Sequence, residues 1–330
     1  MNGSPCSGNL CTRKNTSNRG MPVGQSVVKN KEDIMKPIEV QGLTKDYGEG
    51  KGIFDLNFSV SKGEIFGFLG PNGAGKTTTI RHLMGFIRPD SGTARIVGLD
   101  CFEKHAVIQT KLGYLPGEIA LMEEMTGTAY LNFMADLKKI QNKKRIQELS
   151  DYFELNPKGS IRKMSKGTKQ KIAIICAFMQ DPDILLLDEP TSGLDPLMQN
   201  RFIDLILEAK KNGTTILLSS HIFEEVERTC DRTAIIKNGK LMTVEDMNSL
   251  AQKKKKIYTV TFRDIEAARR FAAEDRLPLM EIKDNKVSLS VSGAPGAILE
   301  KIASAAPVDL EIKSQSLEEL FLHFYDKEEA

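Results

Sequence analysis

Two short stretches carry side chains whose types and spacing can act on a phosphorylated substrate. The first is Gly70-Pro71-Asn72-Gly73-Ala74-Gly75-Lys76-Thr77-Thr78. Its glycines let consecutive backbone N–H groups turn inward around phosphate oxygens, and the helix that follows adds its positive end. Lys76 places an ammonium on the β- and γ-phosphates of a nucleoside triphosphate, and the Thr77 hydroxyl is a ligand for Mg2+. The second stretch is Ile184-Leu185-Leu186-Leu187-Asp188-Glu189, a run of aliphatics ending in two adjacent acids. Asp188 is expected to hold the Mg2+ and Glu189 to polarise the attacking water, because transfer of a phosphoryl group asks the protein chiefly to position groups and neutralise charge. Neighbouring strand residues point to opposite faces, so both acids serve one site only where the chain turns. Pro190 is expected to supply that turn.

Such groups need strands that end, and helices that begin, at fixed places. Phe54, Leu56, Phe58 and Val60 alternate with polar residues, the period of a half-buried strand. A second strand, 64–69, runs straight into the glycine-rich loop, and 79–86 reads as a helix, followed by a turn at Arg88-Pro-Asp-Ser-Gly92. Residues 117–165 have a helical pattern with charged faces and no strand signal. Ile184 to Leu187 fits a strand buried on both faces, Met198, Phe202 and Leu205 share one helix face, and 215–218 is a further short strand. Asn238-Gly239 marks a hairpin. Alternation of this kind implies a parallel α/β sheet carrying a helical insertion.

In this order the motifs resemble those of an ATP-binding cassette (ABC) transporter ATPase, over residues 36 to about 245. Gly70 to Thr77 matches that family's Walker A loop and Leu185 to Glu189 its Walker B strand. Tyr47 matches the aromatic that stacks on adenine. Met164-Ser165-Lys166-Gly167-Thr168 lines up with the Leu-Ser-Gly-Gly-Gln signature, Ser192-Gly-Leu-Asp195 with the D-loop and His221 with the switch histidine. The resemblance implies a P-loop NTPase fold with ATP and Mg2+ bound. Gly70 to Thr78, Tyr47, Ser165, Gly167 and Asp195 would be nucleotide-binding, Thr77 and Asp188 metal-binding, and Glu189 and His221 catalytic. Two departures stand out. The signature keeps Ser165 and Gly167 but has Lys166 and Thr168 in place of Gly and Gln. Where the family has a glutamine that touches Mg2+, this chain reads Gly117-Glu118; either the contact is simply lost, in which case Gly117→Gln is expected to be tolerated and Glu118→Ala to be nearly silent, or Glu118 has taken over the role and Glu118→Ala is expected to slow turnover.

The chain has 330 residues, 46 basic and 44 acidic, a net charge of +2, which argues against a nucleic-acid binder as a whole. No run approaches the roughly 18 apolar residues of a membrane span. Five scattered cysteines without a Cys-x-x-Cys pair argue against a disulfide framework or zinc site. The expected organisation is a disordered extension (1–34), the cassette (35–250, with the helical subdomain at about 117–165) and a small α+β domain (251–330). In that last domain strands are expected near 257–263, 279–291 and 308–313, with helices near 264–274 and 295–305. Ser316-Leu-Glu-Glu319 reads as a capping box opening a last helix, whose apolar face is Leu317, Leu320, Phe321 and Phe324. Met84, Met122, Met125 and Met134 read as core filler. The resemblance further implies two partners: a separate integral-membrane permease, with export favoured in view of the C-terminal domain, and a second cassette in a head-to-tail dimer. It places the chain on the cytoplasmic face of the cell membrane, with no nucleic acid expected. The alternative is a soluble ABC ATPase of cofactor assembly or of a ribosomal or nucleic-acid target. A single P-loop and the absence of heptads speak against the latter two.

Overall fold

The computed structural model describes residues 36–253, 255–273, 277–291, 295–316 and 318–319. The expected extension at 1–34, and Leu317, Leu320, Phe321 and Phe324 of the expected last helix, lie outside the described residues.

β1 (Ile38–Asp46) and β2 (Gly52–Val60) pair antiparallel, with Leu56, Phe58 and Val60 buried on the inward face. β3 (Ile65–Leu69) is buried at every position and runs into the glycine-rich loop and α1 (Lys76–Leu83). This helix begins three residues earlier than the sequence pattern predicts. Gly75, left-handed at φ 111°, ends the loop, and Gly85, at φ 71°, follows the helix end. β4 (Ser91–Ile96) pairs antiparallel with β1, and β5 (Leu99–Asp100) with β4; the sequence pattern marks only a turn at the start of this region. Then come α2 (His105–Gln109), β6 (Leu112–Leu115) and the helical segment of α3 (Gly127–Leu137) and α4 (Lys144–Tyr152). α5 (Lys166–Phe178) leads to β7 (Ile184–Asp188), α6 (Pro196–Lys211), β8 (Thr215–Ser220) and α7 (Phe223–Thr229). The hairpin of β9 (Arg232–Lys237) and β10 (Lys240–Asp246) turns at Asn238-Gly239, both at positive φ, as the sequence predicts.

The central sheet runs β10-β9-β3-β8-β7-β6, parallel except for β10. Alternate residues face two separate cores. Ile65 and Leu69 of β3 and Leu185 and Leu187 of β7 face α5, α6 and the helical segment. Phe66, Phe68, Ile184 and Leu186 face α1 and the antiparallel sheet β2-β1-β4-β5. A strand with both faces buried has to be largely apolar, and Gly67 in β3 and the terminal Asp188 in β7 are the exceptions to aliphatic or aromatic residues in these two. Because β3, β8 and β7 are adjacent, their carboxyl ends lie side by side, with Leu69 opposite Ser220 and Asp188 opposite Ser219. In open α/β sheets ligands bind at this edge.

After α8 (Met247–Lys253) the chain forms a second antiparallel sheet from β11 (Lys256–Thr261), β12 (Leu279–Lys283), β13 (Lys286–Val291) and β14 (Asp309–Ser314). α9 (Ile265–Ala272) and α10 (Gly296–Ser304) close its core around Tyr258, Val260, Phe271 and Leu289. The strand order β12-β13-β11-β14 with this βαββαβ sequence is the split-βαβ arrangement. Ser316 and Glu319 bond each other's backbone N–H at 3.1 Å, the expected capping box. Of the four methionines read as core filler, Met84 is buried and Met125 and Met134 pack on the core, but Met122 is 48% exposed; it lies ahead of α3, beyond the reach of that core. Among the described residues no helix is long and apolar enough to cross a membrane.

Candidate functional site

The loop between β3 and α1 is shaped by contacts as much as by backbone freedom. A Cβ at Gly70 would lie 2.3 Å from the Ile236 carbonyl oxygen, and one at Gly75 2.7 Å from Ile53. Gly239 N–H donates to the Ala74 carbonyl, so the β9–β10 turn holds the loop from outside. Ala74 is buried, whereas Pro71, Asn72 and Gly73 are exposed. The Lys76 ammonium, 5% exposed, lies across the loop and donates to the carbonyls of Gly70 (2.6 Å) and Pro71 (3.2 Å). The N–H groups that open α1 have no preceding turn to bond and face outward with the positive end of the helix.

Asp188 ends β7 and is fully buried. Its Oδ2 accepts from Thr77 Oγ1 at 2.7 Å and its Oδ1 from Ser219 Oγ. The next residue turns away because Glu189 itself is left-handed at φ 47°, with its N–H bonded to Ser219 O. The turn expected from Pro190 is therefore made one residue earlier; Pro190 instead offers its carbonyl to Gln170 of α5 at 2.6 Å. The turn aims the Glu189 carboxylate at two cations or donors: Oε1 lies 3.1 Å from Lys76 Nζ and Oε2 lies 2.5 Å from His221 Nδ1. Thr77, Asp188, Glu189 and His221, with Gly117 and Ser192, line one cavity of about 440 Å3 at the carboxyl edge of the sheet.

Asn72 lines the same cavity, whereas Tyr47, Thr78, Ser165, Gly167 and Asp195 do not. Tyr47, half exposed, stands at the end of the β1–β2 hairpin, its N–H bonded to Lys51 O. Thr78 is bonded through its carbonyl to His82 Nδ1. Ser165 is the N-cap of α5 and accepts from Thr168 N–H at 3.2 Å; Thr168 thus serves the helix cap. Asp195 caps α6 through Met198 N–H. The signature segment backs onto the D-loop of its own chain. Lys166 Nζ donates to Ser192 Oγ at 3.0 Å, and a Cβ at Gly167 would lie 2.8 Å from Gly193 O.

Along the chain the match to the ABC transporter family model covers residues 53–192, from β2 through the two phosphate-site motifs. The linearmycin resistance ATP-binding protein of Bacillus subtilis is 32% identical over 303 residues, which is 87% of this chain and 97% of that protein. The chain belongs to the ABC transporter ATP-binding proteins. The bacitracin transport ATP-binding protein of Bacillus licheniformis is 38% identical over 222 residues, 66% of this chain and 72% of that one. A solved ATP-binding subunit of an ABC transporter superposes with a TM-score of 0.59 at 32% identity, over 64% of this chain and 91% of that one. The protein is thus an ABC cassette that binds and hydrolyses ATP.

Within this ABC cassette, residues that sequence reasoning passed over also face the site. Arg81 and Tyr114 line the same cavity. Arg81 lies one helical turn after Thr77, a spacing that could have found it. Burial, and then the charge of Asp188, push the Tyr114 phenol up to about 12, so it remains a hydrogen-bond donor. Gly117 lies against Asp188: a Cβ there would sit 3.1 Å from Asp188 Oδ2. Asp188 is held by Thr77 and Ser219, so a side chain at 117 has to shift it by a few tenths of an ångström.

Proposed function

We propose that this chain powers a separate membrane permease that exports its substrate. Residues 35–250 serve as the motor, residues 251–330 as an appended domain, and the whole is held at the cytoplasmic face of the membrane by the permease. The observation that supports the hydrolytic assignment is the continuous contact from Thr77 through Asp188 to Ser219 beside that from Lys76 through Glu189 to His221. Thr77 Oγ1 and the Asp188 carboxylate converge, and two hard oxygens in contact suit Mg2+. Bound there, the ion would neutralise charge on the β- and γ-phosphates. In this reading Lys76 and the loop N–H groups hold the phosphates, and Tyr47 carries the adenine. Glu189 accepts the proton of the attacking water while His221 orients its carboxylate and meets the γ-phosphate. Lys76 is paired with Glu189 before nucleotide arrives, so phosphate binding releases Glu189 for its work. Ser165, Gly167 and Asp195 lie away from this cavity, consistent with their serving the ATP of a second cassette docked head to tail.

Export is favoured because similarity to a resistance protein extends past the cassette into the C-terminal region, over 87% of the chain. The test is co-expression with its permease and assay of inside-out vesicles. ATP-driven accumulation of a peptide-antibiotic-like substrate, abolished by Glu189→Gln, is the expected result. Accumulation in right-side-out vesicles alone, or a chain that never co-purifies with membranes, would refute the assignment.

A further inference from the structure

Behind His221 lies a buried acid that the reaction described above leaves unused. β8 ends at Ser220 and α7 begins at Phe223, so His221 sits in a two-residue connection. Three consecutive side chains at this strand end each meet a different acid. Ser219 Oγ donates to Asp188, Ser220 Oγ donates to Glu225 Oε2 at 2.6 Å, and His221 Nδ1 meets Glu189. Glu225 projects from α7 and is 5% exposed, with the Ser220 hydroxyl on its Oε2. Burial pushes its carboxyl up to about 7, against the pull of the neighbouring Ser220 and Thr191 hydroxyls. An apolar side chain of equal size would fill the space without desolvating a carboxyl group. What the carboxyl group supplies is an acceptor for Ser220. With its hydrogen committed to Glu225, Ser220 Oγ accepts from Ile222 N–H at 3.0 Å. Thr229 Oγ1 in turn bonds the Glu225 carbonyl at 2.7 Å and fixes that turn of α7. The connection carrying His221 is therefore held from the strand side and from the helix side at once.

We propose that Glu225 is a positioning residue for ATP hydrolysis: through Ser220 it fixes the turn that presents His221 to Glu189. This rests on the roles given above to Glu189 and His221. Without the carboxyl group, Ser220 Oγ–H loses its buried acceptor, the hydroxyl reorients, and Ile222 N–H loses its own partner. His221 is 51% exposed, so its placement depends on the turn that carries it. The phosphate-binding groups stand on the β3–α1 loop, a different element, so the loss falls on turnover and leaves ATP binding alone.

The experiment is steady-state ATPase of the full-length chain with Mg2+–ATP, alongside thermal melts. The variants are Glu225→Ala, Glu225→Gln, Ser220→Ala, His221→Ala and the double variant His221→Ala/Glu225→Ala. Glu225→Ala is expected to lower kcat about tenfold or more while KM for ATP stays within about twofold. Glu225→Gln, whose amide oxygen can still accept from Ser220, restores most of that turnover. In the His221→Ala background, loss of Glu225 adds nothing, because residues that act as a unit are not additive. Parent-like kcat for Glu225→Ala, a rise in KM with kcat unchanged, or an equal fall in the His221→Ala background would each overturn the inference. If Glu225→Ala does not fold, Ser220→Ala carries the same test, and parent-like turnover of that variant overturns it. A His221→Ala variant with parent turnover would instead defeat the underlying hydrolytic assignment.

Discussion

Replacing Glu189 by glutamine keeps the side chain's shape and removes its charge, and the structure sets two separable consequences. The first concerns binding. The Lys76 ammonium lies 3.1 Å from Glu189 Oε1, with the two side chains 5% and 18% exposed. At an effective dielectric constant of about 20 the gross attraction is about 5 kcal/mol. Desolvation and the entropy of holding the pair leave a net of about 1 kcal/mol. Incoming phosphate has to displace that contact, so its loss should tighten ATP binding about fivefold. The second concerns turnover. Loss of a general base lowers the rate about 10²- to 10⁴-fold, or roughly 3–5 kcal/mol of transition-state stabilisation. Calorimetric titration with Mg2+–ATP, phosphate release and light scattering measure the affinity, the rate and the dimer in turn. The variant should bind ATP at least as well as the parent, hydrolyse it orders of magnitude more slowly and accumulate as a nucleotide-bound dimer. Hydrolysis at the parent rate would show that Glu189 is not the base. Weaker ATP binding would show that it does not compete with phosphate for Lys76.

Gly117→Gln should raise the Mg2+ concentration needed for half-maximal activity roughly tenfold, as losses beside a metal ligand do, because its Cβ presses on Asp188 Oδ2 at 3.1 Å. A Mg2+ titration of ATPase activity checks this. Gly167→Ala places a Cβ 2.8 Å from the Gly193 carbonyl oxygen, so backbone has to move; turnover should fall while binding of ATP to the chain's own P-loop, read by titration, is retained. Glu225 ionises near its ordinary value of 4.5 in the unfolded chain and at about 7 in the folded one. Between these the native state holds a proton that the unfolded state has released, so this group's contribution to stability falls as pH rises through the window and is flat above it. The whole span is at most about 3 kcal/mol. Glu225→Gln should lose this fall, so its melting temperature relative to the parent should rise from pH 5 to pH 8; parallel curves would count against the buried acid.

Much of the architecture was legible because the informative signals are local. β3 and β7 announce themselves as unbroken apolar runs, since strands covered on both faces tolerate little else. The elements beyond Lys255 follow the expected order because Val287, Leu289 and Val291 alternate and Asp264 and Ser316 sit at helix starts. The glycine-lysine-threonine loop and the acid pair can be found by spacing alone, because the phosphate-binding geometry permits few substitutes. β4 was not legible: it opens with Ser91 and Gly92, residues typical of turns, and becomes a strand by pairing with β1 some 50 residues earlier. Glu225 was equally hidden. It is one of three acids in Phe223-Glu-Glu-Val-Glu-Arg, and only the packing of α7, which turns Val226 and Thr229 inward with it, decides which of the three is buried. The same holds for the chemistry. Sequence named Lys76, Asp188, Glu189 and His221 one by one. The adjacency of β3, β8 and β7 brings Lys76, Glu189 and His221 within hydrogen-bond reach and Asp188 onto Thr77, and the left-handed backbone at Glu189 sends two neighbouring acids in different directions. Residue types depend on local demands and can be read in order along the chain, whereas distances between strand ends depend on pairings the chain makes only when folded.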